Sequence, residues 1–332
     1  MIGGGASVVT GTAFEALVLL YRHVQAEHGL SAAPEPKVPP ALLPLADRFF
    51  RGDIALGMNV VPLAHTHGWH TLADLTAGLD AYAPDQLAKA MLRAPDATAA
   101  DHARRENEVG RVLAGEAPRE PLLAALNREL FDTSAVEALL DDPTTAAREF
   151  TTLIRRYAQS VTADDLHEPL LADAATEIRA LLDESPLDTA ARRLFPQLRF
   201  HRLDDFDSVV LIPSAAIAPF LSTRVTAPDQ ALIVFPVPSG EADLVAALKA
   251  LAHPLRLQIL RIADRAPITG HDLARTLGVT EATVHHHTSL LRAAGLITST
   301  REAHRVNLQA VPNALPHLFT HLIAHISPPE RG

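Results

Sequence analysis

The 332-residue sequence contains no cysteine. Disulfides, thiolate-bound zinc and cysteine nucleophiles are excluded together. The absence fits a reducing compartment, and the expectation is a cytoplasmic protein. Aromatic residues are scarce at 5%, with Trp69 the one tryptophan. No apolar run approaches the roughly 18 residues of a membrane span. Met1–Ser7 has no basic stretch ahead of an apolar one, as a secretory signal would. A Walker loop, a Rossmann glycine fingerprint and a Gly-x-Ser-x-Gly elbow are missing, and Gly3-Gly4-Gly5 is too short to cradle phosphate. With no catalytic constellation in view, the expectation is a non-enzyme without a cofactor.

What is present is an ordinary globular composition, 48% hydrophobic, with a formal charge of −10. The length suggests two domains. Charge is unevenly spread: residues 241–332 hold nine Lys/Arg and seven Asp/Glu, a balance of +2 that leaves −12 for residues 1–240. Nine of the 17 histidines also lie in that last quarter. An acidic body with a mildly basic, His-rich tail points to a polyanion partner for the tail.

Along the chain, Phe14–His28 reads as helical, and Pro34, Pro36, Pro39, Pro40 and Pro44 mark a loop after it. From Pro84 the apolar spacing is helical, through Leu87, Met91 and Leu92, then Leu122, Leu123, Leu126 and Leu130. It continues through Phe150, Leu153, Ile154 and Tyr157, then Ala174, Ile178, Leu181 and Leu182. Three β-rich runs follow, Leu198–Leu203, Val209–Ile212 and Leu232–Phe235, read as a small sheet closing the first domain. Pro236–Gly240 reads as a joint. The expected division is a helix-rich α+β domain over 1–236 and a second domain over 237–332, mainly α overall with small β elements.

The second domain carries the local signals. Leu244, Leu248 and Leu251 predict one helix. Pro254 opens the next, whose apolar face is read as Leu257, Ile259, Leu260 and Ile262. Thr269-Gly-His-Asp272 has capping-box spacing before a short helix through Leu273, Ala274 and Leu277. Gly278 suits a left-handed helix end, and Thr280 an N-cap for a helix over Glu281–Ala294. Helix, tight glycine turn, helix is a helix-turn-helix pattern. On a wheel, Val284, Thr288 and Leu291 face inward with His287 at the edge, and Ala282, His285, His286 and Ser289 face outward. Leu296–Thr300 and Arg305–Leu308 then predict a two-stranded wing with Arg301, His304 and Arg305 placed for phosphates or a minor groove.

Residues 248–309 resemble the winged helix-turn-helix domain of ArsR/SmtB-type transcriptional repressors. The resemblance rests on Leu-Ala-His-Pro-x-Arg-Leu-x-Ile-Leu (251–260), Leu-Ala-x-x-Leu-Gly-Val (273–279), Thr-Val-x-His-His (283–287) and Leu-Leu-Arg-x-Ala-Gly-Leu-Ile (290–297). It implies a homodimer that binds double-stranded DNA at a pseudo-palindromic operator and releases it when an effector arrives. The expected DNA contacts are Thr280, Glu281, Thr283, His285, His286, Ser289, Arg292, Arg301, His304 and Arg305. Ala303 replaces the glycine usual at the wing tip, and Thr288 replaces a leucine of the recognition helix. The family's cysteine metal site is absent; Ile268–Leu273 occupies its place. The long N-terminal part is expected to sense a small apolar molecule or a partner protein, or to brace the dimer.

Three histidine clusters suggest metal. His285-His286-His287 diverge by about 100° per residue and do not converge on one ion. His317, His321 and His325 recur every four residues beside the stripe Leu315, Leu318, Phe319, Leu322, Ile323 and Ile326, which is read as the dimer seam. A His-based zinc or nickel sensor there is an alternative reading, although Asn313 is a poor further ligand. His65-Thr-His67-Gly-Trp-His70 follows Val60-Val61-Pro62, a candidate short strand. That arrangement gives the other alternative, a metal-dependent hydrolase fused to a DNA-binding tail. The helices after Pro84 leave no room for the eight strands such a barrel needs, so a structural loop is preferred. Asp204, Asp205 and Asp207 read as a charged turn rather than a cation site.

Overall fold

The computed structural model describes residues 5–27, 37–52, 54–93, 99–128, 131–187, 189–190, 208–217, 222–227, 230–237, 241–302, 305–311 and 314–326. Several sequence expectations fall outside these residues: Pro34 and Pro36, Leu130, the run Leu198–Leu203, Asp204, Asp205 and Asp207, Pro238–Gly240, Ala303 and His304 at the wing tip, and Asn313.

The first region begins with β1 (Ala6–Val8) and α1 (Thr12–Glu27). Then follow α2 (Leu43–Phe50), α3 (Val60–Thr66), α4 (Leu72–Ala81), α5 (Pro84–Met91), α6 (Ala99–Leu113) and α7 (Glu120–Arg128). Next come α8 (Thr133–Asp141), α9 (Pro143–Ala158) and α10 (Glu168–Glu184). The chain is helix-rich, as expected. α1 is apolar around most of its circumference, with Phe14, Leu17, Val18, Leu19 and Leu20 at most 1% exposed, the mark of a central helix. α9 is amphipathic, and its Phe150 packs edge-on against Phe49 of α2 at 5.1 Å. Local chemistry sets the ends. Thr71 and Asp74 form a reciprocal capping box on α4, and the carboxylates of Asp132 and Asp142 accept backbone N–H groups at the starts of α8 and α9.

Strands β2 (Ser208–Ser214), β3 (Ser222–Ala227) and β4 (Gln230–Pro236) join β1 in a sheet of order β1-β2-β4-β3. β1, β2 and β4 are parallel, and β3 is antiparallel to β4. Parallel strands need cover on both faces, which is why Val209–Ile212 and Leu232–Phe235 are unbroken apolar runs. Val210, Ile212, Leu232 and Val234 pack with the helical core around α1. Val209, Leu211, Ile233 and Phe235 pack against Leu171, Ala175 and Ile178 of α10. Two of the three predicted β runs are therefore neighbours, and the sheet also recruits the N-terminal Ala6–Val8.

One strand expectation is corrected. Val60-Val61-Pro62 opens α3 instead of forming a strand. Pro62 sits in the first turn, where its missing N–H costs nothing.

The second region contains α11 (Glu241–Leu251), α12 (Pro254–Ala263), β5 (Ile268–Thr269), α13 (Gly270–Leu277) and α14 (Glu281–Ala293). β6 (Ile297–Glu302), β7 (Arg305–Ala310) and α15 (Ala314–Ile326) follow. The sheet runs β5-β7-β6, antiparallel throughout. Ile259, Leu260, Ala263, Leu273, Val284, Leu291 and Ile297 build a core within this stretch. Leu257, read as part of the apolar face of α12, is 51% exposed. Among the described residues no helix is long and apolar enough to cross a membrane.

Candidate nucleic-acid interface

The turn between α13 and α14 is built as its residues dictate. The Thr269 hydroxyl accepts the Asp272 N–H at 3.1 Å to start α13. Gly278 ends that helix at φ 67°, a left-handed conformation that costs a side chain about 1 kcal/mol or more. Thr280 then caps α14 by accepting the Thr283 N–H at 3.2 Å. His253 caps α12 in the same way, its Nδ1 accepting from Leu255, with Pro254 at the first helical position. Gly295, again left-handed at φ 67°, ends the turn after α14 and launches β6.

α14 is thereby held with one face in the core and its N-terminal end free. Val284, Thr288 and Leu291 are at most 2% exposed and His287 is 8% exposed, as the helical wheel predicts. Thr280, Glu281, Ala282, His285 and His286 are exposed, and Thr283 is half-buried. Ser289 is half-buried as well, and its hydroxyl oxygen is enclosed. Arg292 requires a correction: expected as a DNA contact, it is buried at 8% exposure. The N-terminal turns of α14 project, whereas its last turn is enclosed by the α11, α12 and β6 neighbours. Arg301 and Arg305 lie on the facing strands of the wing, where Glu302 pairs with Arg305 in register. The side chains of Arg301 and Arg305, and those of His317, His321 and His325 on α15, lie outside the described set.

Two contacts at this surface escaped sequence reasoning. His271, at the start of α13, places Nδ1 2.7 Å from Glu281 Oε1, tying the exposed ends of the two helices together. The His253 ring lies 4.5 Å from that of His287, and the His286 ring lies 5.3 Å from it. Burial holds the His287 imidazole below its usual pKa, and His253, His286 and Arg256 add repulsion in the same direction. No spacing rule marks His253, because histidine is not a favoured N-cap.

The His65–His70 cluster separates. His65 and His70 stack at 6.2 Å, while His67 turns to stack on Trp69 at 4.9 Å. Among the described residues, no three His, Asp or Glu side chains are placed to hold one ion.

A family model described as an HTH domain matches residues 256–305. The chain is also 32% identical over 94 residues to the HTH-type transcriptional repressor SmtB of Mycobacterium tuberculosis, in strain CDC 1551 / Oshkosh and in strain H37Rv. The alignment covers 27% of this chain and 70% of the relative. The chain belongs to the ArsR/SmtB family of winged helix-turn-helix regulators. Within an ArsR/SmtB frame, α13 and α14 are the helix-turn-helix and β6–β7 the wing. The helices and the four-stranded sheet of the first region lie outside the residues that the family model matches.

A second surface borders this one. Val245, Leu257, Leu290, Leu315, Phe319, Ile323 and Ile326 are 37–69% exposed. Leu257 and Leu315 also line a groove of about 290 Å³ between α12 and α15, with Leu260, Leu296 and Val311.

Proposed function

We propose that this protein is a homodimeric, sequence-specific DNA-binding transcriptional repressor whose effector acts through residues 1–236. One observation carries the reading: α14 buries Val284, Thr288 and Leu291 and leaves Thr280, Glu281, Ala282, His285 and His286 outside. An exposed helix end of small and hydrogen-bonding residues fits a major groove and can reach base edges. Thr280, Glu281, Thr283, His285 and His286 would meet the bases, Ser289 would lie at the margin, and Arg301, His304 and Arg305 would meet the backbone. Buried Arg292 is assigned to packing. The exposed row on α15 would seat a second copy and set the spacing of two recognition helices. Residues 1–236 and 237–332 would be the two domains, in the cytoplasm. The modest basic excess predicts that the pair of half-sites, rather than one reader alone, supplies affinity.

The test is fluorescence anisotropy on the DNA upstream of the protein's own gene, at two salt concentrations, with and without zinc and a chelator. Expected is salt-dependent binding at least tenfold tighter than to random duplex, and a paired His285→Ala/His286→Ala variant that loses this preference while staying folded. Equal affinity for random DNA at both salts would sink the reading. Release of DNA by zinc would shift the effector site to His317, His321 and His325.

A further inference from the structure

Residues 1–240 carry an excess of acid, yet one helix there turns arginines onto a hollow. A cavity of about 600 Å³ between α6 and α7 is lined by Arg104, Arg105, Glu108 and Arg111, with Pro121 and Ala125 as an apolar wall. Positions 104, 108 and 111 follow helical spacing and share one face. Arg105 stands beside them, 7% exposed. Its Nη1 donates to Leu92 O at 3.5 Å, and its Nε is 3.8 Å from Glu108 Oε2. Arg104 is held to Asp101 at 2.9 Å in an exposed pair, which contributes little against solvent. Arg111 is exposed in the last turn of α6.

We propose that this cavity binds a small polyanion, a molecule bearing two or more phosphate or carboxylate groups. Its volume suits a metabolite, since ligand pockets run to roughly 300–1,000 Å³. Three guanidinium groups against Glu108 in the lining, and Asp101 paired to Arg104 beside it, leave a net positive charge inside an acidic body. Guanidinium forks match phosphate and carboxylate oxygens two at a time. Glu108 holds the Nε edge of Arg105. An apolar effector, the chemistry expected from sequence, does not suit such a wall. The proposal deepens the effector reading by giving the effector a chemical class, and rests on that reading for its regulatory consequence alone.

Isothermal titration calorimetry on the full chain, without DNA and at fixed ionic strength, tests it with inorganic pyrophosphate and with citrate. Expected is saturable binding of at least one probe, weakened tenfold or more in Arg104→Gln/Arg111→Gln and also in the single exposed change Arg111→Gln, with unaltered circular dichroism. Pyrophosphate alone marks a phosphate site, citrate alone a carboxylate site, and either supports the proposal. Heats no larger than those of matched sodium chloride overturn it. So does equal affinity in wild type and variants, because the anion would then sit elsewhere, including on the DNA-facing helix. Since no DNA is present, failure here leaves the DNA-binding reading standing.

Discussion

Residues 5–237 and residues 241–326 treat their apolar side chains differently. In the first region Tyr157, Phe14, Phe49, Phe50 and Phe150 are all below 2% exposure. Among the described residues, every large apolar side chain left exposed lies in the second region, from Val245 to Ile326. Both regions use amphipathic helices, so helix chemistry does not separate them. The first closes its own core around a sheet covered on both faces. The second closes a small core and leaves one side of α12 and α15 uncovered. An exposed apolar row of this kind fits the dimer seam proposed above, in the same region as the helix-turn-helix.

The most damaging change should fall in the self-sufficient region. Phe150→Ala removes a ring packed on Phe49 and Phe50. It should cost about 3–5 kcal/mol by urea denaturation. DNA affinity of the folded fraction should stay within about twofold; a larger loss would show that the two regions are coupled.

Charging the uncovered side should do the reverse. Phe319→Asp/Ile323→Asp should convert dimer to monomer by sedimentation velocity. It should weaken DNA binding about 100-fold by removing the second half-site, and lower apparent stability by the dimer's contribution. A variant that stays dimeric would refute the assignment of α15 as the seam.

Smaller effects should sort the recognition helix. Thr280→Ala should lower stability by about 1 kcal/mol through loss of the cap on Thr283. Arg292→Gln should lower stability more than DNA preference, since its side chain is buried. Paired binding and melting curves separate these losses.

The smallest effect is acid sensitivity. Burial depresses the pKa of His287 in the second region and, with His70 adding repulsion, that of His65 in the first. On acidification the unfolded chain takes up these protons first, from about pH 6.5 downward. Their contribution is therefore complete above that pH and lost as pH falls toward the depressed folded values. The melting midpoint should drop between pH 7.5 and 5.5, and His287→Gln should reduce that drop. An unchanged pH profile in the variant would mean that His287 is not among the groups responsible.

Legibility from sequence followed the range of the interactions. Thr269, Gly278, Thr280 and Gly295 act within three or four residues, so the helix-turn-helix could be read directly. Strand β1 could not be: Ala6-Ser7-Val8 is too short for a pattern, and its partner begins some 200 residues later at Val209. Val60-Val61-Pro62 misled because β-branching favours a strand and proline argues against a helix until its first-turn tolerance is counted. The apolar face of α12 was legible, but not that Leu257 on it stays exposed, because spacing does not say what covers a face. Arg292, expected as a DNA contact, misled because sequence does not show what encloses the last turn of a helix. The pairing of His253 with His287 and the grouping of arginines at the α6–α7 cavity needed the tertiary fold.

The register of β1 has a consequence for synthesis. Ala6 pairs with Val209 and β2 with β4, so the parallel sheet cannot assemble until the chain has grown through Pro236. At ~5–20 residues per second, the helices made first wait on the order of 10–50 s for the strands they cover. During that interval the apolar sides of α1 and α10 have no sheet beneath them. The second region follows the sheet in the chain and draws on local contacts, so it can fold soon after it is made. A nascent chain stalled before residue 208 should therefore be the form most dependent on a chaperone.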